Sequence, residues 1–393
     1  MQIAWSGVPQ IHSTSGFFKH MADFTEKTQS INLELACNEC GALLKFQPGT
    51  HHLTCEYCGT KNEIAEPQTT PTEIRENSLE DFLAQNIEHE VKIEVVTVKC
   101  DGCHGINTFD PKTVSDKCAF CGSPLVVTRA GTSKIDRPEY VLPFGIDLQK
   151  AIQEFKKWIG GLWFAPTDLA KFADAPRNMN GVYIPYWTFD CTTHSSYRGQ
   201  RGDDYQVTEN YTTTENGKTV TRQRQVTKTR WRTASGSVNN SFDDLLIEAS
   251  GSFDKKILRS LEPWHLKNLV EYNDKYLSGF RTEIFAVDLR TAYQSAKGRM
   301  EPAIESSIRS DIGGDRQSIQ SVSTTYRNPT FKHILLPVWV SAYRYNNKVY
   351  QFIINASTGE VQGQRPYSTS KIVLAILGGI AVITILYLLF NQS

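Results

Sequence analysis

The sequence predicts an α+β fold made of two tandem four-cysteine ribbons, a mixed α/β body with β-hairpins, and one apolar C-terminal helix. Three observations carry that expectation. Eight of the nine cysteines form two sets of identical spacing, Cys37-x2-Cys40-x14-Cys55-x2-Cys58 and Cys100-x2-Cys103-x14-Cys118-x2-Cys121. Downstream, turn residues punctuate alternating runs and two apolar stripes at helical spacing. Ile372 to Phe390 is an unbroken stretch of 19 uncharged, mostly apolar residues. The 393 residues divide accordingly into an irregular lead (1–34), a first ribbon (35–64), a linker with a short helix (65–97), a second ribbon (98–128), a body (135–366) and a membrane-spanning helix (371–390).

Each Cys-x2-Cys pair puts two thiols on one tight turn, and two facing turns supply four sulfur ligands with the tetrahedral arrangement Zn²⁺ takes. The 14-residue spacer leaves room for a short hairpin. The sets are an internal duplication at a period of 63, since Phe46, Pro48 and Gly59 recur as Phe109, Pro111 and Gly122. Two structural zinc ions per chain are expected. Four disulfides would use the same residues, but the spacing is metal-like and no secretory signal accompanies it. Four protein ligands leave an ion no open position, so the sites stabilise and do not catalyse. His51 and His52 fall inside the first spacer and read as exposed loop residues. In the lead, Met21 is an alternative start to Met1.

Residues 60–77 are rich in Pro, Thr, Glu and Gln and read as a linker. Ser78, three residues before Asp81, opens a short helix through about Glu90, and β-branched Val91 to Lys99 leads into the second ribbon. The ribbons are expected to be tethered units on a hinge. In the body, Leu148, Ile152, Phe155 and Ile159 mark an amphipathic helix that Gly160-Gly161 stops. Residues 183–232 look β-rich, with a hairpin turn at Asn216-Gly217. Pairing outward sets Tyr211 opposite Arg222, Glu209 opposite Arg224, Val207 opposite Val226, Tyr205 opposite Lys228 and Asp203 opposite Arg230. Arg222, Arg224, Lys228, Arg230 and Arg232 then share one strand face, a candidate phosphate or nucleic-acid track. Glu209 and Asp203 across the strand favour a solvated, partly neutralised face instead. Leu289, Ala292, Tyr293, Ala296, Met300, Ile304 and Ile308 mark a second helix, ended by Gly313-Gly314. A last hairpin turns at Asn346-Asn347 and sets Tyr343 opposite Tyr350 and Trp339 opposite Ile354. Thr358-Gly359 is a further turn.

Lysine plus arginine equals aspartate plus glutamate at 42 each, so no global field draws nucleic acid or an acidic surface. A nucleophile elbow, a Walker A loop, a zinc-protease His-Glu-x-x-His and a dinucleotide fingerprint are all missing. Cys191 and His194 are three residues apart and would point to opposite faces of a strand, which argues against a catalytic dyad. An enzyme is not expected. The apolar stretch would span about 28 Å as a helix, close to a bilayer's hydrocarbon thickness. Arg365 and Lys371 precede it and only Asn391, Gln392 and Ser393 follow. The positive-inside tendency makes this a single-pass inner (cytoplasmic) membrane protein with the bulk of the chain cytoplasmic. Ala375 and Gly379 form a small-xxx-small pair that could pack a partner helix.

The turns Cys37-Asn-Glu-Cys40-Gly and Cys55-Glu-Tyr-Cys58-Gly resemble the TFIIB-type zinc ribbon. Tyr183-Ile-Pro-Tyr-Trp-Thr-Phe-Asp190, Tyr197-Arg-Gly-Gln-Arg-Gly202, Glu262-Pro-Trp264 and Tyr276-Leu-Ser-Gly-Phe280 resemble a family of bacterial zinc-ribbon membrane proteins. So do Asp311-Ile-Gly-Gly-Asp315, Leu335-Leu-Pro-Val-Trp339 and Thr358-Gly-Glu-Val-Gln-Gly363. Members often carry the label primosomal protein N′ or helicase, which this chain does not support because it lacks nucleotide-binding loops. The resemblance implies a partner among flotillin-like SPFH proteins or PspA-like membrane-stress proteins. His104 departs from the family's usual Gly in the second ribbon. The expected function is a non-enzymatic, tail-anchored adaptor whose ribbons dock a protein. The alternative is a membrane-tethered nucleic-acid-binding protein without ATPase activity.

Overall fold

The computed structural model describes residues 35–64, 74–84, 92–101, 106–109, 115–118, 120, 123–126, 131–172, 179–215 and 217–391. The first cysteine set sits on a small sheet of β1 (Leu44–Phe46), β2 (His52–Cys55) and β3 (Lys61–Glu63). After β4 (Asn77–Ser78) comes α1 (Leu79–Ala84), whose first turn is capped by Ser78 accepting from the Asp81 N–H at 3.2 Å. The expected extension of α1 to Glu90 lies outside the described residues. The second set brings β5 (Lys92–Lys99), β6 (Ile106–Phe109), β7 (Ser115–Lys117), β8 (Pro124–Val126) and β9 (Gly131–Asp136). The chain continues through β10 (Tyr140–Val141), α2 (Leu148–Gly160) and α3 (Leu169–Phe172).

Three very long strands then build the body: β11 (Asn180–Glu215), β12 (Lys218–Glu248) and, later, β15 (Arg316–Tyr345). Between them lie α4 (Lys255–Arg259), β13 (Val270–Glu271), α5 (Asp274–Leu277), β14 (Arg281–Thr282) and α6 (Leu289–Ile312). The remainder is β16 (Lys348–Asn355), β17 (Val361–Gly363) and α7 (Thr369–Asn391). The main sheet runs β12-β11-β15-β10-β13, with β4 and β16 also pairing to β15, β14 to β11 and β17 to β16. The expected register of the first hairpin is observed, with Tyr211↔Arg222, Glu209↔Arg224 and Asp203↔Arg230, and Gly217 at φ 75°. The last hairpin likewise pairs Tyr343↔Tyr350 and Trp339↔Ile354.

Side-chain alternation along this sheet separates two cores. Val141, Tyr183, Leu335, Trp339, Phe352 and Ile354 face one side, where α2 and the first cysteine set pack. Tyr140, Leu142, Val182, Ile184, Leu336 and Ile353 face the other, against Val98, Cys100, Cys118, Phe120 and Leu125 of the second set. Farther along the first face, α6 buries the stripe expected from its sequence, Leu289 to Ile308, against Trp187, Phe189 and Phe331.

This arrangement corrects the expectation of tethered units on a hinge. Leu44, Phe46, Leu53, Cys55 and Ile64 are buried in the same core as Phe144 and Tyr276. The Phe46 N–H donates to Ser278 O at 3.0 Å, the Gly49 N–H to Phe144 O at 2.7 Å, and the Ser278 hydroxyl to Leu44 O. A three-stranded sheet with one apolar face cannot stay in water cheaply, and the body sheet supplies the complementary surface. The linker is also shorter than its composition implies. Tyr140 Oη accepts from the Arg75 N–H at 2.7 Å, Asn77 Nδ2 donates to Glu139 Oε1 at 2.6 Å, and β4 pairs with β15 at Thr330↔Ser78.

Candidate metal centre

The four sulfurs of Cys37, Cys40, Cys55 and Cys58 converge within 4.8 Å of one another. Cys37 Sγ lies 3.6 Å from Cys58 Sγ, and Cys40 Sγ lies 3.5 Å from Cys55 Sγ. A disulfide needs about 2.05 Å, so these are free thiols. Four sulfurs each ~2.3 Å from a tetrahedral zinc would stand about 3.8 Å apart, close to the observed spacing.

Two matching turns create this geometry. The Gly41 N–H donates to Cys37 O at 2.9 Å and the Gly59 N–H to Cys55 O at 3.0 Å. The Cys37 N–H closes on Ala42 O at 2.7 Å, and the Cys55 N–H on Thr60 O at 3.0 Å. Both turns end on a glycine in the left-handed region, Gly41 at φ 72° and Gly59 at φ 74°, where a side chain would be strained. The turns also aim backbone donors at sulfur. The Cys40 and Glu39 N–H groups lower the Cys37 thiol. Cys58 is pushed down to about 6, first by the Thr60 hydroxyl, 3.2 Å away, and then by the Thr60 N–H. Cys40 receives the Ala42 N–H, yet its neighbouring sulfurs push it up to about 12. Sulfurs this close cannot all ionise without a cation between them, and a bound divalent metal relieves that conflict.

In the second set, Cys100 and Cys118 are buried, and Cys103 and Cys121 lie outside the described residues, as does His104. One bond of the turn recurs: the Cys118 N–H donates to Ser123 O at 2.7 Å, as Cys55 does to Thr60. The duplication is thus visible in the backbone as well as in the spacing.

On the first set, Cys37 and Cys55 are buried, whereas Cys40 and Cys58 reach the surface beside Tyr57, 83% exposed, and Leu43, 49% exposed. Neither apolar residue was singled out by motif reading. For Tyr57 the signal was available, because it lies between Cys55 and Cys58 on a turn tip, whereas Leu43 follows the first turn and bridges to Ala36. Of the spacer histidines, His51 is exposed as expected. His52 instead opens β2 and is half-buried, since the hairpin begins earlier than a loop reading allows. A cleft of about 600 Å³ opens at the seam between this module and the body, with Phe46, Met179, Phe280 and Trp339 among its walls.

The basic strand is exposed along its length, and each cation has a local partner. Lys228 Nζ lies 2.7 Å and Arg224 3.7 Å from the Glu209 carboxylate, which Lys228 holds below the usual carboxylate range. Arg224 also lies over the Tyr211 ring and Arg230 over Tyr205. Arg232 pairs with Asp203, which Arg201 approaches at 2.8 Å. Arg222 completes the row. Cys191 and His194 do not meet: the Cys191 thiol contacts Met300 Sδ at 3.6 Å, and His194 Nδ1 lies 2.9 Å from Asn239 Oδ1. Burial pushes the Cys191 thiol up to about 11, the opposite of an activated nucleophile.

At the C-terminus, Thr369–Phe390 is a helix long and apolar enough to cross a membrane, with mean hydropathy 2.8 and none of it buried against the body. The chain is 26% identical over 346 residues to the uncharacterized protein YdjG of Bacillus subtilis (strain 168), covering 88% of this chain and 93% of the relative. No family profile matches the chain. No solved structure matches it.

Proposed function

We propose that this protein is a non-enzymatic adaptor, tail-anchored in the inner membrane with its bulk in the cytoplasm, and that its two cysteine sets are structural zinc ribbons. The observation that carries the reading is a closed four-thiol cluster built into a body that ends in an unburied apolar helix. Four sulfurs at tetrahedral spacing suit Zn²⁺ and leave no position for substrate. A metal fixes a small surface that few residues could hold rigid alone. On the first ribbon that surface is the turn tip with Tyr57, which offers apolar area to a partner. The resemblance noted above points to an SPFH/flotillin-like or PspA-like scaffold as that partner.

Metal analysis of purified protein should give about two zinc per chain; a value near zero would end the zinc reading. Because Cys37 and Cys55 belong to the body's core, substituting them would disturb the fold as well as the metal. Tyr57→Ala is the cleaner probe. It should keep the zinc content and lose partners recovered from solubilised membranes, and an unchanged recovery would move docking away from this tip.

The exposed row Arg222, Arg224, Lys228, Arg230 and Arg232 supports the rival, a membrane-tethered nucleic-acid-binding protein. Binding to random-sequence DNA or RNA that falls steeply with salt, and that drops on Arg222/Arg224/Lys228→Ala, would favour it.

A further inference from the structure

A short loop after α2 stands out among the exposed apolar groups. Gly161 ends the helix, and Trp163, 79% exposed, and Phe164, 40% exposed, follow at once. Two adjacent aromatics left in water cost free energy unless something covers them. The neighbours of this loop indicate what that is. The Lys371 ammonium donates to Ala165 O at 2.8 Å and to Trp163 O at 3.2 Å. The Ser368 N–H donates to Phe164 O at 2.7 Å. The loop is therefore fastened to the first turn of α7, immediately before the apolar run that begins at Ile372. Tyr367, 58% exposed, lies on the same segment with Arg365 over its ring at 5.4 Å.

If α7 crosses a bilayer, Lys371 sits at the headgroup level, where a lysine at a helix end places its ammonium. The hydrogen bonds then fix Trp163 and Phe164 at that same level, and Tyr367 lies on the segment that leads into α7. Tryptophan and tyrosine favour this zone because the ring is apolar and its N–H or O–H stays hydrated. Lys156 and Lys157, both exposed towards the end of α2, carry positive charge that suits anionic headgroups, although Glu154 lies 3.9 Å from Lys157; Asp168, after the loop, accepts from the Tyr345 hydroxyl.

We infer that residues 161–166, with Tyr367, form a membrane-interface foot that seats the body on the lipid headgroups beside its anchor. The foot rests on the reading of α7 as a membrane span. It sets how the body meets the bilayer, which a single helix on a flexible stalk would leave open. A second contact beside the helix restricts tilt and rotation of the body about the helix axis.

The test uses the full chain reconstituted into phosphatidylcholine vesicles containing phosphatidylglycerol, with a fraction of the lipid brominated near the top of the acyl chains. Flotation establishes insertion, and tryptophan emission reports depth. Of the other described tryptophans, Trp187, Trp264 and Trp339 are buried in the body, Trp158 is half-buried and Trp231 lies on the exposed hairpin, so the quenching lost on removing Trp163 is what isolates the foot. Trp163→Phe, at an exposed position, removes the reporter while leaving the fold intact. The expected result is lipid-dependent quenching that falls by at least half in Trp163→Phe, with equal flotation of both proteins. Equal quenching in both, with both floating, overturns the foot and leaves the anchor standing. Failure of the wild-type protein to float overturns the anchor, and the foot with it.

Discussion

Phe46→Ala tests whether the first cysteine module is part of the body or merely attached to it. Phe46 is 3% exposed and lies edge-on to Tyr276, with centroids 5.3 Å apart, and to Phe280 at 6.4 Å. Phe280 in turn stacks on Phe144 at 3.9 Å and meets Trp339 at 5.9 Å. Truncation to alanine removes a ring at the seam between module and body, which costs roughly 3–5 kcal/mol for a well-packed Phe. With a urea dependence of ~3 kcal/mol per molar, the midpoint should fall by about 1–1.7 M. The assay is equilibrium urea unfolding of the full chain in mild detergent, followed by tryptophan emission. Lys45→Ala is the control. It lies on the same strand, and its ion pair with Glu56 at 3.0 Å is solvent-exposed on both sides, so its effect should stay below about 1 kcal/mol. A Phe46→Ala midpoint within 0.3 M of wild type, on the order of 1 kcal/mol or less, would refute the shared core. So would an early transition that releases the module while the body signal stays put.

Two further outcomes follow from other parts of the molecule. Lys332 is buried and meets Glu76 at 3.0 Å, Asp190 at 3.2 Å and Asp244 at 2.8 Å. Lys332→Met should cost on the order of 3 kcal/mol at neutral pH by leaving three partly buried carboxylates without their cation. Burial, and then the hydrogen bond with Glu76, already raises Asp190 to about 6. Losing the ammonium raises it further above its unfolded value, so the folded variant binds the extra proton and regains stability as pH falls from 7.5 through 6. Urea midpoints at pH 7.5 and 5 should show the deficit shrinking; an equal deficit at both would contradict this account. Deleting Ile372–Phe390 should move the protein from the membrane pellet to the soluble fraction, and retention in the pellet would count against the anchor.

The parts legible in the sequence are those set by neighbours along the chain. Asn216-Gly217 admits only tight hairpin geometry, so the pairing from Tyr211↔Arg222 to Asp203↔Arg230 followed by counting. The stripe from Leu289 to Ile308 revealed both the helix and its buried face. The paired cysteines revealed a four-sulfur cluster because their spacing encodes a turn. Other features depend on residues distant in sequence. The N-terminal half of β15 reads as a polar, Ser- and Thr-rich stretch, and only its pairing with β11, Arg198↔Ser321 for example, makes it a strand. Lys332 gathers acids from positions 76, 190 and 244, and no local pattern announces that meeting. The seating of the ribbons was hidden by the linker's composition, because Pro- and Thr-rich segments look the same whether they join free units or cross a packed surface.

The long hairpin has a consequence for motion. β15 begins at Arg316, opposite Gly202, so outward from Asp203↔Arg230 the described strand pairing of β11 and β12 is with each other, with Asp204 reaching Asp315 and Arg316 at the base. That leaves a two-stranded arm which, at about 3.4 Å per residue, projects roughly 40–45 Å. Two strands alone are marginal in water. Amide protons of the arm should therefore exchange through local opening, with protection rising abruptly inward of Gly202 where the third strand joins. Within one continuous strand, the cooperative unit that resists unfolding ends well short of the turn.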